Sequence, residues 1–442
     1  MRTLLAMCAL GAGAALSAAE AEPAVSEVTV TPVEAARHFS ISYKLTGGPA
    51  IVTMAVFTNG VHAGGAAVRA VAGDVNALVQ PDGERTKRIV WFPDTAFPAT
   101  TLAAEAVSVE LTLWRPDTPP DYAAVRIAAD DDARHVAYYA DEASLPGGIG
   151  DARWRTDYLL LRRIPRSDRP WRMGAPSGEF PLRAKSEVPH LVKLTVDYYM
   201  GVFPVTQGQY AAVAGENPSP AAQQAPSDAA CRPATNVKLH GQLRHTPQAD
   251  RFRWPEDGHT FTTAVFMGKL GARTGVAFDL PTDAQWEYAC RAGEQAAMPN
   301  GRPAGDASAS DIAWYDKDGL GEDNILPAPV GTLRPNAWGL YDMLGNVAEW
   351  CLDWWSDADS GYPANDVNHD AATGVCVDPV GPASTEARTW RVLRGLGFSV
   401  KEEGKARYLR SAYRLENRTG DTQRPWIGFR VACPCPLPAT FD

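Results

Sequence analysis

Residues Pro335 to Trp355 read PNAWGLYDMLGNVAEWCLDWW and concentrate the side chains most able to organise a site. The stretch holds five aromatics, two glycines, two asparagines and three acidic residues at irregular spacing. An amphipathic helix or an alternating strand has no need of that pattern. A backbone forced into turns and wrapped round a fixed point does. The chain beyond it matters equally: no cysteine occurs between Val377 and Ala432.

Other chemistry-bearing residues are scattered. Cysteines stand at 231, 290, 351, 376, 433 and 435, with Cys8 near the start. No CxxC pair is present and the histidines do not cluster beside the cysteines, so a zinc site has little support. An even number of cysteines in an oxidising compartment predicts disulfides, with the pairing left open. Cys433 and Cys435 stand too close to pair comfortably with each other. His38 and His62 are lone histidines and read as structural or surface residues.

The compartment is read from the amino terminus. Arg2, the apolar run Leu4 to Leu16 and the small residues Ser17-Ala18-Ala19 read as a signal peptide over residues 1–19. The run is too short to span a bilayer, and no later stretch is long enough, so no transmembrane segment is expected. The expectation is a secreted or periplasmic protein. A net charge of -10 over 442 residues, with no block of lysine and arginine, argues against nucleic acid as a partner.

These residues must be positioned by the elements around them. Residues 23–130 contain short runs rich in β-branched and aromatic residues, such as Phe39 to Tyr43, Ile51 to Val56 and Val107 to Trp114. Gly47-Gly48-Pro49 and Asn59-Gly60 separate them as turns. This predicts an immunoglobulin-like or fibronectin-like all-β sandwich. Arg115 to Pro120 is a proline-rich break, and 131–154 reads as an irregular connector. The second domain spans 155–436, with Leu159 to Pro165 as its first strand. Its best helix candidates are Gln207 to Val213 and Asp283 to Ala292, the latter opening with the N-cap signal Pro281-Thr282-Asp283 and closing at Gly293. The class is α+β, rich in loops and aromatics.

Six stretches now occur in order. They are Met200 to Gln207, Leu280 to Gly293 (LPTDAQWEYACRAG), Pro335 to Trp355, Arg391 to Gly395, Arg410 to Arg414, and Ile427 to Val431. Together they resemble the formylglycine-generating enzyme family, also called sulfatase-modifying factors, over about 155–436. The resemblance implies a C-type-lectin-like domain with little regular secondary structure. Active members oxidise a sulfatase cysteine to formylglycine with oxygen and a copper ion held by two cysteines, since soft thiolates favour Cu(I). Counting back from Arg414, those two positions fall near Lys401 and Ala406, in a segment without cysteine. Gly397 stands where the family has a serine. Copper is therefore not expected there, and no catalytic residue is assigned.

Calcium is the cofactor the resemblance retains. Carried over by position, one ion would be held by Asp342 and Glu349 through carboxylates and by Gly345 and Val347 through carbonyls, the oxygen set that Ca²⁺ prefers. A second would fall at Asp311, Ile312, Asp323 and Ile325. A related branch uses non-haem iron on an added helical domain. Here the preceding region reads as all-β, and His240 and His245 read as ordinary loop histidines. Trp338 and Trp350 are expected in the core, with Trp354 and Trp355 left open.

The functional expectation is an exported, non-catalytic binding or scaffold module with calcium. Its ligand would be an unidentified exported protein or glycan met by the loops 214–260 and 356–386. Two alternatives stay open. One is altered chemistry using Lys401, Glu402, Glu403, Lys405 and Arg407. The other is a formylglycine-generating oxidase using displaced cysteines such as Cys376 or Cys433.

Overall fold

The structure is a computed structural model. It describes residues 21–437 apart from 35–36, 84, 94–96, 98–101, 128–135, 176–178, 180–184, 246–253, 255–261, 317–325, 360, 384–389, 399–404 and 436. The expected signal peptide, the acidic part of the connector and the charged segment Lys401 to Glu403 lie outside the described residues.

Alternation builds the amino-terminal region. Along His38–Thr46 every second residue is buried, so one face points inward with period two. This strand lies between Ala24–Val33 and Lys87–Trp91 in an antiparallel sheet completed by Val71–Gly73. A second sheet is centred on Ala50–Thr58, which pairs with Val61–His62, Ala77–Val79 and Val107–Trp114. Phe39, Ile41, Tyr43 and Leu45 of the first sheet share one buried cluster with Ala50, Val52, Met54 and Val56 of the second. Asn59 and Gly60 both take positive φ, 51° and 77°. That is the twist a two-residue hairpin needs.

The next sheet crosses the expected boundary. Its five antiparallel strands run in the order Val136–Tyr139, Tyr122–Arg126, Tyr158–Ile164, Tyr198–Gly201 and Ala432–Pro434. Tyr122–Arg126 therefore hydrogen-bonds into the carboxyl-terminal part of the chain, although its sequence position places it before the connector. Four of its five residues are buried. A strand covered on both faces lacks the alternation that would reveal it. For the same reason Ala348–Trp354, buried at every position, reads in sequence as an irregular aromatic run. It lies between Trp390–Arg394 and Ile427–Gly428 in another sheet, with Glu349 opposite Arg394.

Both expected helices form. Gln207–Ala214 opens on a capping box made by Thr206 and Gln209 and ends at Gly215, φ 83°. Asp283–Arg291 opens on the same device, made by Thr282 and Gln285, and ends through left-handed Ala292. The hydroxyl accepts an otherwise unpaired first-turn amide. Thr282→Ala should cost about 1 kcal/mol, read as a lower urea midpoint with unchanged slope. A further helix, Phe266–Thr274, was not legible, because Gly268 and Gly271 interrupt its apolar pattern.

Candidate functional site

Three residues turn the chain ahead of Ala348: Asp342, Gly345 and Asn346 have φ of 55°, 76° and 57°. At Gly345 a Cβ would stand 2.4 Å from the Trp314 carbonyl oxygen, so only glycine fits. The turn is tied to the preceding loop at two points. The Asn346 side chain accepts from the Ala328 amide at 3.0 Å and donates to its carbonyl at 3.2 Å. The Asp342 Oδ2 accepts from the Gly331 amide at 2.7 Å.

The two carboxylates of the turn differ in their surroundings. Glu349 is 1% exposed. Arg430 grips it through Nε at 2.7 Å and Nη2 at 2.8 Å, and Trp286 Nε1 donates to it at 2.8 Å. Arg430 also donates to the carbonyls of Gly201 and Tyr341 at 2.8 and 2.9 Å. Asp342 is buried as well, but no salt bridge reaches it among the described residues. Burial pushes its carboxyl up to about 6; the Gly331 amide and Arg430 oppose this, and Glu349 reinforces it.

A buried carboxylate with no direct ion pair suits a bound cation. Glu349 suits it less fully, because Oε2 accepts from both Arg430 and Trp286. Its Oε1 accepts only from Arg430 Nη2 and retains acceptor capacity. Asp342, that oxygen, and the Gly345 and Val347 carbonyls of the same turn would hold a hard ion. At the second expected position, Asp311 Oδ2 meets Arg334 at 3.0 Å, while Oδ1 is buried with no hydrogen-bond partner. Ile312 is buried beside it. Asp323 and Ile325 fall outside the described residues.

The segment corresponding to the family's copper position begins at Gly395, φ 85°. A Cβ on Gly397 would stand 2.8 Å from the Trp426 carbonyl oxygen and 2.9 Å from its Cβ, so this backbone leaves no room for a serine. Ala406 is buried within the short helix Lys405–Arg407.

Disulfides are the expectation the structure does not bear out. Cys231, Cys290, Cys351, Cys376, Cys433 and Cys435 are all free thiols. Four of them are fully buried on separate elements, packed into the core instead of facing one another. Burial pushes the thiols up, to about 12 for Cys290 and Cys376.

Sequence reading missed an ionic lattice beneath these loops. Arg394, wholly buried, binds Asp283 and reaches Glu287 at 2.9 Å. Arg414 also pairs with Asp283, at 2.8 Å, and Arg291 with Glu287, at 2.9 Å. Arg410 grips Glu187 through two nitrogens, at 2.5 and 2.8 Å. The residues that made the ordered stretches recognisable are thus largely partners within the core. The density of arginine and acid in those stretches was the available signal, but pairing is a long-range fact.

The histidines and tryptophans resolve plainly. His240 contacts Arg391 at 3.2 Å, and burial with that guanidinium pushes it down to about 4. It stays neutral. His245 accepts from the Thr262 amide at 3.0 Å. Trp350 is buried and donates to the Val237 carbonyl at 3.0 Å, and Trp338 packs half-buried against Tyr288. Trp354 and Trp355 are buried too, beneath Arg391 and Arg414.

Comparison with known proteins agrees with the ordered stretches. Residues 161–434 match the family described as "Sulfatase-modifying factor enzyme 1-like domain". The formylglycine-generating enzyme of Thermomonospora curvata is 38% identical over 161 residues, 35% of this chain and 48% of that protein. The chaperone protein LppX of Paenibacillus barcinonensis is 32% identical over 187 residues, 36% of this chain and 63% of that protein. Among solved structures, Treponema denticola variable protein 1 aligns over 63% of this chain and 95% of its own, at 25% identity and a TM-score of 0.45. The fold is sheet-rich and mixed α+β. The chain belongs to the sulfatase-modifying factor family. It spans about half the length of the Thermomonospora enzyme. Among the described residues no helix is long and apolar enough to cross a membrane.

Proposed function

We propose that this is an exported member of the family that binds instead of catalysing, with a calcium ion held in the Asp342–Glu349 turn. One observation carries the reading: no cysteine lies between Val377 and Ala432, where the family's two copper-binding thiolates would fall. Without paired thiolates that segment offers Cu(I) no soft ligand set. The crowding at Gly397 supports it, since the serine of the same motif has no space. One relative is named a chaperone protein, a role that rests on binding more than on turnover. The two amino-terminal sheets, sharing one core, would act as a sandwich-like spacer or adhesion unit. An exported protein or glycan is the class of ligand that fits export.

The oxidase reading is favoured by the 38% identity to a formylglycine-generating enzyme. One assay separates the two. The protein, supplied with Cu(I), oxygen and a reductant, is incubated with a Cys-x-Pro-x-Arg peptide, and aldehyde is measured by mass spectrometry. No aldehyde above the peptide-only control is expected. Turnover would overthrow the binding reading.

A further inference from the structure

Trp171–Met173, His190–Lys193, Val375–Val377 and His369–Asp370 form a small four-stranded sheet in that order. Alternation gives it two unlike faces. Met173, Val192 and Cys376 point inward and join the buried core. On the outer face Arg172, Leu191, Val375 and Asp370 stand directly opposite one another, in a row across the four strands. Lys193 and Val377 make a second, shorter row two residues further along. Leu191 is 41% exposed and Val377 37% exposed. Exposed apolar side chains scattered singly call for no explanation. Here they sit side by side at the centre of a face with charge at its rim, which is how an interface is built.

The rim charges differ in sign from edge to edge. Arg172 is exposed on one edge strand, and among the described residues no ion pair engages it. Asp370 is exposed on the opposite edge strand. Its carboxylate accepts from the Ala372 amide at 2.9 Å and the Thr373 hydroxyl at 2.7 Å. These donors are neutral, so they fix the negative charge at the rim without cancelling it.

We infer that this face binds a second copy of the chain about a two-fold axis that runs along the strands, between His190–Lys193 and Val375–Val377. Half a turn about that axis reverses the row. Arg172 then faces the partner's Asp370 and Leu191 faces the partner's Val375, and each contact is made twice. Lys193 falls over the partner's Val377, covering it with its methylene stem while the ammonium stays in water. A two-fold axis running across the strands would instead set Arg172 against the partner's Arg172, and like charges oppose that arrangement. The spacing agrees: packed sheets lie about 10 Å apart, a gap that an extended arginine and an aspartate close together.

Area sets the strength. Four strands about 4.8 Å apart, each about three residues long, present a face on the order of 200 Å². A stable interface takes about 800 Å² from each partner. The dimer is therefore weak and exchanging, and the two charge pairs at its rim make it weaken as salt rises. Self-association neither needs nor excludes a calcium ion or an exported ligand, so the inference stands apart from the proposed function.

The test is sedimentation equilibrium of the full chain at rising concentration, in low and high salt. The wild type should pass reversibly from monomer to dimer. Leu191→Ser should raise the dissociation constant by about tenfold or more. Arg172→Asp and Asp370→Arg should each abolish the dimer, since each sets like charges together twice. An equimolar mixture of those two variants should recover it, because both contacts then join opposite charges. Circular dichroism and melting midpoints show that each variant is folded. Asp370→Arg removes the acceptor for Thr373; if it does not fold, Leu191→Ser and Arg172→Asp, which touch no turn, decide the matter. A wild type that stays monomeric throughout, a dimer that survives Leu191→Ser or Arg172→Asp, or a mixture of the two folded charge variants that associates no better than its components would each overturn the inference.

Discussion

Arg430→Ala is expected to lower stability by about 3–5 kcal/mol, because it leaves a buried carboxylate without its counter-charge. The geometry sets the size. Arg430 and Glu349 are 0% and 1% exposed. The guanidinium also holds two carbonyls, Gly201 and Tyr341, from the flanking strand and loop. Its loss leaves these acceptors without their partner, in addition to the charge. In a chain of this size the change should appear as a fall in melting midpoint of about 3–5 °C. The double change Arg430→Met with Glu349→Gln should recover a large part of the loss, since it removes both charges together. If the double variant were no better than the single one, lost packing and carbonyl contacts would be the cause, and the ionic explanation would fail. The exposed pair Lys185–Asp359, each side chain about two-thirds exposed, is the internal contrast. Lys185→Ala should leave the midpoint unchanged.

Local chemistry was legible in the sequence and distant chemistry was not. Pro281-Thr282-Asp283 announces a helix start, because a cap and the amide it serves lie within one turn. The same holds for the Asn59-Gly60 hairpin. Arg394 and Asp283 are 111 residues apart, and Arg430 and Glu349 are 81 apart. No periodicity joins them; only the folded sheet does. Tyr122–Arg126 and Ala348–Trp354 were obscured for another reason. Strands buried on both faces lose the alternation that marks an edge between core and water. The disulfide expectation failed because an even count of cysteines says nothing of where their side chains point. In the turn itself, sequence placed Asp342 and Glu349 together but could not tell that Arg430 already answers one of them.

That difference between the two carboxylates sets the pH behaviour of the turn and, on the proposed function, the expected response to calcium. An ordinary unfolded aspartate titrates near 3.9, whereas burial raises folded Asp342 to about 6. A raised carboxyl binds its proton more tightly in the folded state, so its contribution is fully present below about pH 4 and is lost as pH rises through 6. Its size is on the order of 2–3 kcal/mol. In chelator, the Asp342 contribution should therefore be lost across this window, while His240, held down to about 4, works in the opposite direction, so the Asp342 effect is read as a difference from a variant. Asp366, also raised to about 6 by burial, falls in the same window. Asp342→Asn isolates the turn, since a side-chain amide oxygen can still accept from Gly331. In chelator above pH 6 this variant should be more stable than the wild type, and its pH slope should shrink. Calcium should reverse the order. An ion present at about 100 times its dissociation constant stabilises the wild type by about 2.7 kcal/mol, and removing the ligating charge should abolish most of that gain. Thermal melts of both proteins, with calcium and with chelator on either side of pH 6, give the comparison directly. Equal midpoints for the wild type with and without calcium, together with a chelated Asp342→Asn protein no more stable than the wild type, would mean that Asp342 is held neutral by the fold and that this turn carries no ion.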